Sequence, residues 1–287
     1  MTKLAYRSYQ RVLESYNGSG NELYRRLVEN SIRLAALWLM RRQHIRFPER
    51  STGGWWWTWR WRFEVLMGWN ELDSVQRCRE LIRPGMTVID VGAHIGYYTR
   101  RFSEWVGSTG RVFAFEAHPE NCAILRANLP AALYHNVEIL PRALSDQTGK
   151  LRLYVSPGSS NHSLLPGYTE AHETIEVETT TLDSFLAERG IQGVDFIKID
   201  VEGAEPLVLA GSTQTLACSP GLAMLVEYNP RALRCGGLAP EKFVQHLQQA
   251  EFRVQVILPN AALGQISELL ADEVVNLVCQ KSAIEDK

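Results

Sequence analysis

Val88-Ile-Asp-Val-Gly-Ala-His-Ile-Gly-Tyr-Tyr-Thr99 is the stretch that decides the fold of this 287-residue chain. An apolar run ends at Asp90, turns through Gly92 to Gly96, and then resumes with helical spacing. Glycines at such a turn let the backbone come close to a ligand, and the N-terminus of the following helix offers unpaired N–H groups. The spacing is G-x-x-x-G, without the third glycine of a dinucleotide fingerprint. By itself the motif fits a ligand-free strand-to-helix turn as well as a nucleotide site.

Outward from this turn the chain alternates short apolar runs with helical patterns. Strands are predicted at Thr87–Val91, Arg111–Glu116, Val137–Arg142, Phe196–Asp200, Leu222–Tyr228, Phe252–Leu258 and Val274–Gln280. Helices are predicted at Tyr97–Val106, Pro119–Leu129, Leu182–Glu188, Ala204–Ala210 and Pro240–Gln249. Strand, helix, strand repeated in this way predicts an α/β fold whose parallel sheet is covered on both faces. Its ligand crevice then lies at the carboxyl ends of the strands. Leu151–Ser156 and Thr174–Thr180 interrupt the alternation and predict a hairpin insertion that carries the loop Pro157–Gly167.

Polar residues recur where these strands end. Glu116 closes the second strand about twenty residues after the glycine turn, where a carboxylate can accept both hydroxyls of a ribose. After the third strand, Ser145-Asp146 can hydrogen-bond an adenine edge, although an ordinary Asx turn would look the same. Lys198 is an unusual cation between Ile197 and Ile199, and Asp200, Glu202 and Glu205 crowd the turn beyond it. Carboxylates so close raise one another's pKa unless a cation or hydrogen bonds intervene. Glu205 suits the start of the next helix, where its charge complements the dipole.

In this order, DVGAHIGYYT, VFAFEAHPEN, ALSD, TTTLDSFL, FIKIDVEGAE and LVEYNP resemble the FkbM-type family of S-adenosylmethionine-dependent methyltransferases. The resemblance covers about residues 84–282. It implies a Rossmann-like class I methyltransferase with a seven-stranded, mostly parallel sheet whose last strand is antiparallel. It further implies that the turn with Asp90, Gly92, His94 and Gly96, next to Tyr97, holds the amino-acid part of S-adenosylmethionine. Glu116 would hold the ribose and Ser145 and Asp146 the adenine, with Asp200 near the methyl-bearing sulfur. His94 departs from the family, which usually has Asn there.

The same resemblance implies O-methylation, often of a hydroxyl on a sugar, glycoside or glycolipid-like acceptor. A sugar hydroxyl is weakly acidic, so a base should take its proton during attack, an effect of about 10²–10⁴-fold. Asp200, His162, Glu202 and Glu227 are the candidates. Asp200, Glu202, Glu227 and Asn229 also offer oxygen ligands for a divalent cation, but a metal-free reaction is expected. Two rival classes are an NAD(P)-dependent oxidoreductase and a non-catalytic module that retains the fold. The missing third glycine and the DVEGAE segment argue against the oxidoreductase.

Upstream the chain changes character. The net charge is −2, yet residues 1–62 hold twelve Lys or Arg against four acids, and six of eight tryptophans fall between Trp55 and Trp69. Residues 1–83 are predicted as a basic, Trp-rich helical extension, and residues 84–287 as the catalytic domain with its hairpin insertion at about 150–181. Within the extension, residues 21–43 predict a helix behind an Asn21 N-cap, with Leu23, Leu27, Leu34 and Trp38 near one face. Its basic and aromatic character suits peripheral contact with a membrane. No nucleic-acid reading motif is present, so the expected partner is a small-molecule or glycan acceptor. Five dispersed cysteines and the lack of a secretory signal pattern or a spanning apolar run predict a cytoplasmic protein.

Overall fold

The computed structural model describes residues 3–49, 54–157, 161–169, 171, 173–268 and 272–281. The chain divides into two compact units, Met1–Leu72 and Asp73–Lys287.

The first unit holds helices α1 (Lys3–Gly18), α2 (Glu22–Gln43) and α3 (Gly54–Met67). Asn21 caps α2 as predicted, its side-chain oxygen accepting from the Tyr24 N–H at 3.1 Å. The core is aromatic: Tyr9, Leu13, Ile32 and Trp69 are buried together, and Trp69 has ring contacts to Tyr6, Tyr9 and Phe63 at 5.6, 5.0 and 5.8 Å. Arg62 is buried too, donating to the Pro48 carbonyl at 2.6 Å with its guanidinium over the Trp59 ring. The orientation of α2 departs from the simplest expectation. Leu23, Leu27, Leu34 and Trp38 are exposed, whereas Ile32, Ala36 and Leu39 are buried. The helix carries apolar stripes on two roughly opposite sides, and only one of them packs.

The second unit opens with α4 (Leu72–Leu81), which buries Cys78, with the adjoining Ile82, against Val88 and Phe102. For that reason the division falls at Leu72, upstream of the boundary at residue 83 that the sequence suggested. There follow β1 (Thr87–Val91), α5 (Tyr97–Val106), β2 (Arg111–Phe115), α6 (Pro119–Asn128), β3 (Val137–Leu140), β4 (Ala143–Leu144), β5 (Gly149–Val155), β6 (Glu173–Thr180) and α7 (Leu182–Arg189). The remainder is β7 (Phe196–Ile199), α8 (Glu205–Ala210), α9 (Thr213–Cys218), β8 (Ala223–Tyr228), α10 (Pro230–Cys235), α11 (Pro240–Gln249), β9 (Phe252–Ile257), β10 (Leu263–Gly264) and β11 (Val275–Lys281).

The main sheet runs β3-β2-β1-β7-β8-β11-β9-β10. Strands β3, β2, β1, β7 and β8 are parallel, and the last strand, β11, is antiparallel to both of its neighbours. This is the Rossmann-like α/β arrangement, with one addition to the seven strands expected. The two-residue β10 pairs with β9 at the edge. Alternation of side chains along the strands builds two cores. Ile89, Phe113, Ile197 and Met224 pack on one face, while Val88, Val112, Phe196 and Leu225 pack on the other against Phe102 of α5. Each such side chain, fully buried, stabilises the fold by roughly 1.5–3 kcal/mol.

The insertion forms a second, three-stranded sheet in the order β4-β6-β5. The third main strand therefore stops at Leu140, short of the predicted Arg142, because Ala143 and Leu144 pair with β6 instead. In the main sheet the order reverses at β1, with β2 on one side and β7 on the other. A crevice at the carboxyl ends of strands is expected at such a switch point.

Candidate active site

Asp90 is fully buried near the end of β1. Its Oδ2 accepts from the Thr99 hydroxyl of α5 at 2.6 Å, and its Oδ1 has no hydrogen-bond partner among the described residues. Burial raises its pKa, against the opposing effect of Lys198. The next turn allows no side chain at Gly92, where φ is +78° and a Cβ would stand 1.9 Å from the Asp200 carbonyl oxygen. The Gly92 and Ala93 N–H groups both donate to the Phe115 carbonyl, so the turn is moored on the end of β2. His94 has φ of 51°, a left-handed conformation in which Asn, Asp and His are several-fold enriched. The family's usual Asn and this chain's His therefore suit the same backbone. At Gly96 (φ +90°) a Cβ would meet Leu125 Cδ1 at 2.7 Å. That glycine seats the start of α5 on α6. Tyr97, half-buried, opens α5 beneath the Arg101 guanidinium.

Glu116, just past β2, is almost fully buried and clamps two loops at once. Its Oε2 accepts from the His94 N–H and its Oε1 from the His118 N–H, both at 2.8 Å. Each carboxylate oxygen has already taken one backbone donor, leaving one lone pair apiece. Burial pushes the Glu116 carboxyl up to about 7, with those two N–H donors pulling the other way.

The buried cation the sequence singled out is a linchpin of the site. The Lys198 ammonium lies 2.9 Å from Asp200 Oδ2, donates to the Gly92 carbonyl at 3.3 Å, and sits over the Tyr98 ring. The exits of β1 and β7 are thereby tied together. Past β7, one oxygen each of Asp200, Glu202 and Glu227 lie within 4.8 Å of one another. Burial, reinforced by Asp200, pushes Glu202 up to about 8. The same two causes, with Glu202 added, push Glu227 well above the usual carboxylate range. Glu227 Oε2 has no hydrogen-bond partner among the described residues. Glu205 starts α8 as predicted and turns inward, accepting from the Val201 and Gly203 N–H groups at 3.0 and 3.2 Å.

The insertion reaches into this cluster. Tyr168 donates its phenolic hydrogen to Glu202 Oε2 at 2.8 Å and accepts from Asn229 Nδ2 at 2.8 Å. Asn229 in turn caps α10 through the Ala232 N–H. Tyr168 lies 34 residues from Glu202 and 61 from Asn229, so nothing local in the sequence marks it. His162 also comes from the insertion, but its Nδ1 accepts the Ser156 N–H at 3.1 Å and its ring lies tilted against His118, with centroids 4.1 Å apart. Burial, then the neighbouring His118 and His94, lower its pKa to about 3. It is a neutral imidazole and a poor proton acceptor at neutral pH. Ser145 and Asp146 stand at the end of β4 in the second sheet. Ser145 is buried, its N–H on the Thr180 carbonyl and its hydroxyl on Asp146 Oδ1, while Asp146 itself is exposed.

The structure thus ties Asp200 to Gly92 through Lys198 and His94 to Glu116, with Asp90 in the adjoining strand and Glu202 and Glu227 beside Asp200. Residues 90–254 match the model of the methyltransferase FkbM domain. The 2-O-methyltransferase NoeI of Sinorhizobium fredii is 28% identical over 201 residues, covering 65% of this chain and 80% of that one. The 31-O-demethyl-FK506 methyltransferase FkbM of Streptomyces tacrolimicus is 34% identical over 161 residues, covering 45% of this chain and 60% of that one. Among solved structures, an O-methyltransferase from Bacillus cereus in complex with SAH aligns at 14% identity and a TM-score of 0.45, over 88% of this chain and 91% of that one.

Proposed function

The chain belongs to the FkbM methyltransferase family and is an S-adenosylmethionine-dependent methyltransferase; on that premise we propose that it methylates a hydroxyl oxygen of a sugar, glycoside or glycolipid-like acceptor, with Glu202 as the base. The carrying observation is the cluster of Asp200, Glu202 and Glu227 beyond β7, in which Glu202 holds a proton-accepting site at about 8. A base is most effective when its pKa lies near the operating pH.

The residues present fit the cofactor. Asp90 keeps a buried oxygen without a partner, which a polar group of a ligand would satisfy. Each Glu116 oxygen keeps a lone pair for a ribose hydroxyl, and Gly92 leaves the turn without a side chain. His94, Gly96 and Tyr97 complete the turn that we assign to the amino-acid part, and Ser145 with Asp146 the edge that we assign to the adenine. When bound, S-adenosylmethionine supplies an electrophilic methyl group on a positively charged sulfur. Asp200, anchored by Lys198, would face that charge. Glu202 would take the acceptor's hydroxyl proton as the methyl group passes to that oxygen. Tyr168 keeps the Glu202 carboxylate aimed, and Glu227 is a second site for the proton. His162 we assign to the wall of the site, because a base of its strength is almost wholly ineffective at neutral pH. The dinucleotide-oxidoreductase and non-catalytic alternatives lose their support with membership of the family.

Transfer of labelled methyl from S-adenosylmethionine to a panel of glycosides, each with one hydroxyl blocked, tests the proposal. Label on oxygen, lost when a single position is blocked, is expected. Label on nitrogen or carbon, or transfer only to hydroxyls outside carbohydrates, would overturn the corresponding part.

A further inference from the structure

We propose that the outward face of α2 is a docking surface for a bilayer of anionic glycerophospholipids. Leu23, Leu27, Leu34 and Trp38 are 69, 59, 66 and 58% exposed. At about 100° per residue they fall within roughly 60° of one another, so they form one stripe. The opposite side of the helix is already used: Ile32, Ala36 and Leu39 are buried there. Single exposed leucines need no explanation, but an aligned row of three with a tryptophan is a patch.

Charge selects the occupant. By helical spacing Arg26 and Arg33 line one edge of the stripe, Arg42 lines the other, and Arg41 continues it past Trp38. The Arg42 guanidinium lies 5.2 Å from the centre of the Trp38 ring. The two acids of α2 are both engaged, Glu22 with Arg26 and Glu29 with the Tyr16 hydroxyl. A second copy of the same stripe would set arginine against arginine with no spare acid to answer it. Arg26 is held by Glu22 and Arg33 lies over the Trp59 ring, so the charge offered outward is that of Arg41 and Arg42. Anionic headgroups answer both, and an indole beside a guanidinium suits the headgroup boundary. The helix lies on the membrane in this arrangement. No helix among the described residues is long and apolar enough to cross one.

Co-sedimentation of the full chain with vesicles of phosphatidylcholine alone, or mixed with phosphatidylglycerol, tests the surface. Binding is expected only to the mixed vesicles and weakens at high salt. L27D/L34D and, separately, R41E/R42E should each reduce it by about tenfold or more. Methyl transfer to a soluble acceptor should be unchanged in both. L34S/W38S, a milder change of the same stripe, provides a second variant should the charged leucine variant fail to fold. Absence of vesicle binding overturns the proposal, as does binding that survives these substitutions. A concentration-dependent dimer that L34S/W38S dissolves, without vesicle binding, would assign the stripe to a second copy instead.

Discussion

The Lys198 ammonium is 2.9 Å from Asp200 Oδ2 and 3.3 Å from the Gly92 carbonyl oxygen, so one buried side chain joins the acidic turn to the glycine turn. Removing one partner of a buried pair leaves the other uncompensated. Lys198→Met should cost about 3 kcal/mol, the lower end for such a loss because Asp200 is partly exposed. It should also weaken S-adenosylmethionine binding. Urea unfolding and calorimetric titration measure the two effects, and wild-type values in both would remove Lys198 from its organising role.

The rate should rise with pH. Glu202 accepts a proton only when ionised, and burial holds it at about 8. The kcat/KM profile should therefore climb through neutrality and level off above about pH 8. Tyr168 hydrogen-bonds the carboxylate and opposes the upward shift, so Tyr168→Phe should move the rising limb to higher pH. Glu202→Gln should abolish the limb and lower kcat by about 10²-fold or more. A flat profile in the wild-type enzyme would exclude Glu202 as the base.

Stability of the ligand-free protein should run the other way. Glu116 and Glu205 are raised to about 7 and Glu202 to about 8 by burial, from an ordinary value of 4.5. The folded chain then holds protons that the unfolded chain has released. Their stabilising effect is complete below about pH 4.5 and is lost as pH rises through 7 to 8. Thermal scans should show Tm falling by several degrees across this window, and Glu116→Gln with Glu205→Gln should flatten the fall.

Exchanging His162 should matter little to proton transfer. Its pKa near 3 leaves it uncharged throughout the working range. His162→Gln should keep the shape of the pH profile and lose no more than a few-fold in kcat, whereas a lost alkaline limb would return the base to the histidine. Turnover should likewise survive a chelator. A fall restored by a divalent cation would instead give Asp200, Glu202 and Glu227 to a metal.

Legibility in the sequence followed the range of the forces involved. The bounds of β1 and α5 were readable because a buried strand, a glycine turn and an amphipathic helix leave local marks. The same holds for α11. The polar residues at the rim were readable as types in order, but not their bonds. Glu116 looked like a carboxylate with two oxygens for a ribose, and in the structure each oxygen accepts a backbone N–H, from His94 and from His118. Tyr168 escaped notice because its partners are far away in the chain. Leu23, Leu27, Leu34 and Trp38 marked a helix correctly but left its packed side open, since periodicity cannot choose between two apolar stripes. Helical character was expected across the extension, but the bounds of α3 were not readable because its Trp and Arg residues surround it and leave no single polar face.

A phenol on an inserted loop, Tyr168, donates to Glu202, a carboxylate just past a strand of the main sheet, and tempers the upward shift that burial and Asp200 impose on it. On the proposed assignments, such wiring would let acid–base character be retuned without altering the glycine turn or Glu116. Replacement of one side chain in the insertion, or a change in that loop's length, would shift the working pH and the acidity of hydroxyl the enzyme can attack. The choice of acceptor could then be altered at the periphery while the turn after β1 stays as it is.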